Sequence, residues 1–90
     1  MAIMEINIIP LGTKTPSVSE YLAAPLKVLK KERVKFELTS MSTIIEGNVD
    51  TLFELARKMH LSTFIPGVKR VVTTIKIDDR RDKPSTMKKK

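Results

Sequence analysis

Apolar and polar positions alternate from Met4 to Ile8, with Met4, Ile6 and Ile8 on one side and Glu5 and Asn7 on the other. That period of two predicts a half-buried strand over residues 2–9. A different spacing follows: Val18, Tyr21, Leu22, Leu26 and Leu29 recur every three or four positions, predicting a helix from Ser17 to about Lys31. Its start carries the capping-box pattern Ser17-x-x-Glu20, while Pro25 falls inside it and is expected to remove one hydrogen bond and kink it. Val34, Phe36 and Leu38 alternate with Lys35, Glu37 and Thr39, giving a second strand; a turn at Ser40–Ser42 then leads into a third, Thr43 to Glu46, and the two should pair as a hairpin. Gly47-Asn48 breaks that run. Asn48 or Asp50 can cap a second helix whose apolar stripe is Val49, Leu52, Phe53, Ala56 and Met59. Residues 61–69, with Pro66-Gly67, read as a loop, and Arg70 to Ile77 as the last strand, with Val71, Thr73, Ile75 and Ile77 facing one way.

The order βαββαβ points to an α+β fold of ferredoxin-like type: a four-stranded antiparallel sheet with two helices on one face. The other face is then uncovered and would carry Glu5, Asn7, Lys35, Glu37, Thr39, Val72 and Thr74. A chain of 90 residues buries only about 60–65% of the surface it exposes unfolded, so its core is thin. Stacking or edge pairing into a dimer or tetramer is the natural supplement.

Composition narrows the chemistry. There is no cysteine, which excludes disulfides, thiolate metal sites and a thiol nucleophile. Neither a signal peptide nor a spanning segment is legible, so a cytoplasmic location without membrane contact is expected. The net charge of +7 invites a nucleic-acid reading, yet four of those charges sit on Lys83, Lys88, Lys89 and Lys90. The chain therefore divides into a domain over residues 1–82 and a basic tail over 83–90, and nucleic acid is disfavoured as a partner. RNA binding on this topology uses aromatics on the open sheet face. Here Tyr21, Phe36 and Phe53 occupy the expected core faces and Phe64 a loop.

Catalytic constellations are similarly sparse. His60 is the single histidine and reads as a surface or cap residue, which leaves no metal cluster. Small acyl-phosphate hydrolases share the outline but carry an arginine in their phosphate loop, where residues 10–16 offer only Lys14. Glu37 and Glu46 lie on the two hairpin strands, either as solvated residues or as a carboxylate pair. The richest stretch is Ile9-Pro10-Leu11-Gly12-Thr13 with Ser17-Val18-Ser19 behind it, where a strand gives way to a helix start. Free backbone N–H groups and hydroxyls at such a junction can hold an oxyanion or a polar ring edge. The alternative is a connection that only turns the chain.

Four segments in order carry a resemblance: Glu5-Ile6 through Ile9-Pro10-Leu11-Gly12-Thr13; Ser17 to Tyr21; Met41-Ser42-Thr43-Ile44-Ile45-Glu46-Gly47; and Arg70-Val71 with Ile75 to Arg81. Together they resemble the small thiamine-binding protein family over most of the chain. The resemblance implies the same ferredoxin-like domain, assembled as dimers or tetramers through the sheets. It also implies non-catalytic binding of thiamine or its hydroxymethylpyrimidine moiety, with no cofactor. Ser42 stands where the family usually has glycine, Pro25 interrupts the first helix, and the family's C-terminal helix is shortened to residues 85–90. The aminopyrimidine presents ring acceptors and an amino donor, which Gly12, Thr13, Ser17, Ser19 and Thr43 can match through hydroxyls and backbone groups, and Glu46 through its carboxylate. The thiazolium cation favours a carboxylate nearby. A regulatory or structural oligomer binding another metabolite is the alternative, with an enzyme behind it.

Because the terminal lysines lie outside every matched ligand-site segment, deleting residues 83–90 is expected to leave affinity for hydroxymethylpyrimidine unchanged in calorimetry. Tight, salt-steep RNA binding that survives the deletion would reverse the ranking of partners.

Overall fold

The computed structural model describes residues 1–12 and 19–82. Their elements are β1 (Ala2–Leu11), α1 (Ser19–Glu32), β2 (Lys35–Leu38), β3 (Thr43–Gly47), α2 (Val49–Ser62) and β4 (Arg70–Asp78). The strands form one sheet in the order β2-β3-β1-β4, each neighbouring pair antiparallel. This is the ferredoxin-like arrangement. Thr13, the Ser17 capping box and the tail from residue 83 lie outside the described residues.

Strand β1 organises the sheet because it pairs on both sides, with Met4 opposite Ile45 of β3 and Ile77 of β4. Its alternation sends Ala2, Met4 and Ile6 into the core, where they meet Ile45, Leu29 of α1 and Leu52, Leu55, Ala56 and Met59 of α2. Pairing to β4 runs to Leu11, two residues beyond the expected end, whereas pairing to β3 stops at Ile6 opposite Thr43. From Asn7 onward β1 is therefore an edge on the hairpin side. Proline is tolerated on an edge, which accounts for Pro10 inside the strand.

Two expectations, at Phe53 and at His60, are corrected here. Phe53 is not in the core: it is 57% exposed, and Leu55 takes the buried place. The buried set 52, 55, 56 and 59 follows the helical period, and Phe53 stands about 100° round from Leu52. Helix α1 runs from Ser19 to Glu32 with Pro25 buried inside it, so the proline interrupts one hydrogen bond without ending the helix. His60 is neither a free surface residue nor a cap. It is half-buried, its Nδ1 2.6 Å from Thr73 Oγ1 on β4 and its ring edge-on to Phe64.

The helices are also tied by Lys58 Nζ, which donates to Glu32 Oε2 at 2.9 Å. The hydrogen bond and the charge of Glu32 hold Lys58 above its ordinary lysine value. A raised lysine pKa contributes stability that is fully present at neutral pH and lost as pH rises through the lysine range. Both groups are exposed, so that contribution is small.

Helix α1 ends on Arg33, whose φ of 58° is left-handed and whose N–H reaches back to Lys30 O at 3.3 Å. That position ordinarily takes glycine, because a Cβ crowds the carbonyl there. Arg33→Gly is expected to raise unfolding free energy by about 0.5–1 kcal/mol, read from the urea midpoint. An unchanged or lower midpoint would show that the arginine side chain compensates for its backbone.

Candidate functional site

Where β1 outruns the hairpin, a cavity of about 320 Å³ opens between sheet and helices. Its walls are residues 6–10 of β1, Pro25 and Leu26 of α1, Met59 of α2, and the turn from Leu38 to Thr43. The site exists because strand lengths differ: β3 ends its pairing at Ile6, and the β2–β3 turn folds over the gap instead of continuing the ladder. None of the described residues lining it carries a charge. Its volume lies at the small end of ligand pockets, suited to a single substituted ring.

Thr43 lines this cavity and shares the helix-side face with Ile45 and Ile6. Gly12 follows β1 two residues beyond Pro10, with φ of 71° and open space around its Cβ position, so it turns the chain away from the strand. Ser19 is the first residue of α1. Thr13 and Ser17 are outside the described residues, as is the Ser19 side chain.

Glu46 is placed elsewhere. It lies three positions after Thr43 on one strand, and so on the opposite face of the sheet. There it stands directly across from Lys35, with Nζ and Oε1 3.6 Å apart. Glu37 pairs in register with Ile44 and is exposed. The two glutamates therefore do not form a carboxylate dyad; the hairpin's closest opposite-strand charge contact is an ion pair.

The open face is more apolar than its sequence suggested. Besides Glu5, Asn7, Lys35, Glu37, Val72 and Thr74, the register puts Ile3, Ile9, Leu11 and Ile44 there. Ile9 and Val72 are direct partners, 45% and 41% exposed. Glu5 is engaged from two sides, accepting from Ser42 Oγ at 2.8 Å and facing Lys76 Nζ at 3.8 Å.

A broader depression of about 890 Å³ lies at the far end, between the start of β1, the start of α2 and residues 79–82. Its charges neutralise one another: Arg80 Nε lies 2.6 Å from Asp82, and Arg81 Nη2 2.9 Å from Asp79, which holds Arg81 above its ordinary value. It is a shallow surface, more open than the cavity beside the β2–β3 turn, whose described lining residues carry no charge and which is the better candidate site.

Fold and cavity together define a small ferredoxin-like α+β domain with a cavity beside its β2–β3 turn. The chain belongs to the thiamine-binding protein family, whose model matches residues 4–90. It is 46% identical over 94 residues to the UPF0045 protein YqgV of Bacillus subtilis, spanning 100% of this chain and 90% of that protein. Its structure is similar to that of a hypothetical protein of Methanocaldococcus jannaschii, with TM-score 0.86, 37% identity, and 97% and 88% of the two chains covered. A Thermotoga maritima protein provisionally assigned to thiamine biosynthesis or salvage shares the fold, with TM-score 0.80 over 97% of this chain and 91% of that one, at 15% identity.

Leu38, Met41 and Pro25 are cavity residues that a search for polar chemistry overlooks. For Leu38 a signal was present, since its alternation with Glu37 puts it on the helix side. For Glu46, the sheet between it and the cavity sets a test. Glu46→Gln is expected to leave the affinities for thiamine and for hydroxymethylpyrimidine unchanged within about twofold, read by calorimetry. A loss confined to thiamine would place the cation on the open face instead.

Proposed function

We propose that this chain binds thiamine or its hydroxymethylpyrimidine moiety, without altering it chemically, as a homo-oligomer of dimeric or tetrameric size. The observation that carries the reading is the uncharged cavity beside Thr43, in a chain that matches the thiamine-binding family over residues 4–90. A pyrimidine has two apolar faces and a polar edge. Leu26, Leu38, Met41 and Met59 suit the faces, while the Thr43 hydroxyl, a donor and an acceptor, suits the edge. Gly12, Thr13, Ser17 and Ser19 would complete the polar side from the β1–α1 junction. The provisional thiamine assignment of the Thermotoga protein supports the same class of ligand.

The oligomer reading rests on the open face. Both helices pack on one side of the sheet, and the other side combines Ile3, Ile9, Leu11, Ile44 and Val72 with two ion pairs, Lys35 with Glu46 and Lys76 with Glu5, and with the exposed Glu37. An apolar row can stack against a second sheet, and charges that are already paired cost less to desolvate than lone ones. Among the described residues no helix is long and apolar enough to cross a membrane.

Calorimetry with hydroxymethylpyrimidine and with thiamine, each to millimolar concentration, tests the ligand: heat is expected for at least one, and none for either would overturn the binding reading. Light scattering at micromolar concentration tests assembly, with a multiple of the monomer mass expected. Val72→Lys should then dissociate it, since an unpaired ammonium buried there costs on the order of several kcal/mol. An intact assembly in that variant would move the interface to a strand edge or to the helices.

A further inference from the structure

The turn joining β2 to β3 contains neither glycine nor proline, yet it is tightly built around a single side chain. Thr39 Oγ1 donates to Ser42 O at 2.9 Å and accepts from the N–H groups of Met41 at 3.1 Å and Ser42 at 3.0 Å. The Thr39 N–H also donates to Ser42 O, at 2.9 Å. On the other side of the sheet Ser42 Oγ donates to Glu5 Oε2, anchoring the turn to β1. A surface turn gripped from both faces has its backbone fixed before any ligand arrives, which sets where its side chains are attached.

What it holds is apolar. Met41 is 78% exposed and Leu38 54%, and both line the cavity, so they form its rim. Large apolar side chains at the rim of an uncharged cavity, on a turn already ordered, are suited to close on a flat ring with little further loss of conformational freedom. Thioethers are polarisable and favour aromatic rings. Met59, 2% exposed, lies in the wall formed by α2.

Resting on the ligand class proposed above, we infer that Met41 grips the face of the pyrimidine ring and that Thr39 is the positioning residue that holds it there. The absence of charge among the described lining residues makes the neutral ring the occupant. A thiazolium placed inside would lose hydration with no anion to replace it, so in thiamine that half stays in water.

The test uses the full chain with ¹³C-methyl methionine, titrated with hydroxymethylpyrimidine and followed by NMR and calorimetry together. Upfield ring-current shifts are expected for the Met41 and Met59 methyls, while Met4, buried at 0% exposure under the helices, stays in place. Thr39→Val should lower affinity about tenfold and shrink the Met41 shift, because it removes the turn's side-chain hydrogen bonds at nearly constant shape. Thr39→Ser, which keeps the hydroxyl, should restore both. Met41→Ala should cost about three- to tenfold while leaving the Met4 signal unmoved, and it decides the matter if Thr39→Val disturbs the fold. Calorimetric binding without a Met41 shift, or with full affinity in Met41→Ala, overturns this inference and leaves the ligand assignment standing. No calorimetric binding of hydroxymethylpyrimidine by the unaltered chain overturns this inference, and absence of thiamine binding as well overturns the ligand assignment with it.

Discussion

Everything in this domain depends on the two-sided pairing of β1. Because β3 and β4 both take their register from it, the alternation of Met4 and Ile6 with Glu5 and Asn7 is imposed on the whole sheet. One face becomes a floor for Leu29, Leu52, Leu55 and Met59, and the other receives Ile9, Val72 and the paired charges. A slip of one residue would send Met4 and Ile6 outward and Glu5 inward, where its carboxylate would lose both Ser42 and Lys76. The register is thus protected on both faces, by burial on one and by charge pairing on the other.

The cavity follows from an inequality in that pairing. β4 accompanies β1 to Leu11, but β3 leaves it at Ile6, so the second half of β1 has a free side. In many sheets such a gap would be closed by a longer hairpin. Here the strands β2 and β3 are short, and a turn ordered by Thr39 bends across the gap with apolar side chains on its rim. Pro10 serves the same end, since a proline on the free side discourages another strand from pairing there.

Much of this was legible from residue pattern. The alternation in β1 and β4, the hairpin and the stripe of α2 follow from periods of 2 and 3.6, which burial of one face enforces. The stripe misled only at Phe53, where hydrophobicity was taken for burial; the period by itself favours Leu55. At Pro25 the continuity of the α1 stripe was the better guide, because a helix packed on a sheet tolerates one missing hydrogen bond that an isolated helix would not. Thr43 and Glu46 were joined in one site because they share a motif, although an odd spacing on a strand already separates their faces. The cavity walls were hidden for a different reason: they depend on where β3 stops beside β1, which is a property of two strands and cannot be read from either alone.

The separation of faces also divides the labour of the sheet. On the helix side lies the cavity, with no charge among its described lining residues and with the hydroxyl-bearing Thr39, Ser40, Ser42 and Thr43 among them. On the open side Lys35 pairs with Glu46 and Lys76 with Glu5, Glu37 stays exposed, and Ile9 and Val72 form an exposed apolar pair. Carboxylates in ion pairs of this kind lose less on leaving water than free ones would. Glu46 thus lies on the open face paired with Lys35, while Thr43, three residues earlier, faces the cavity, so one short strand contributes to two different surfaces.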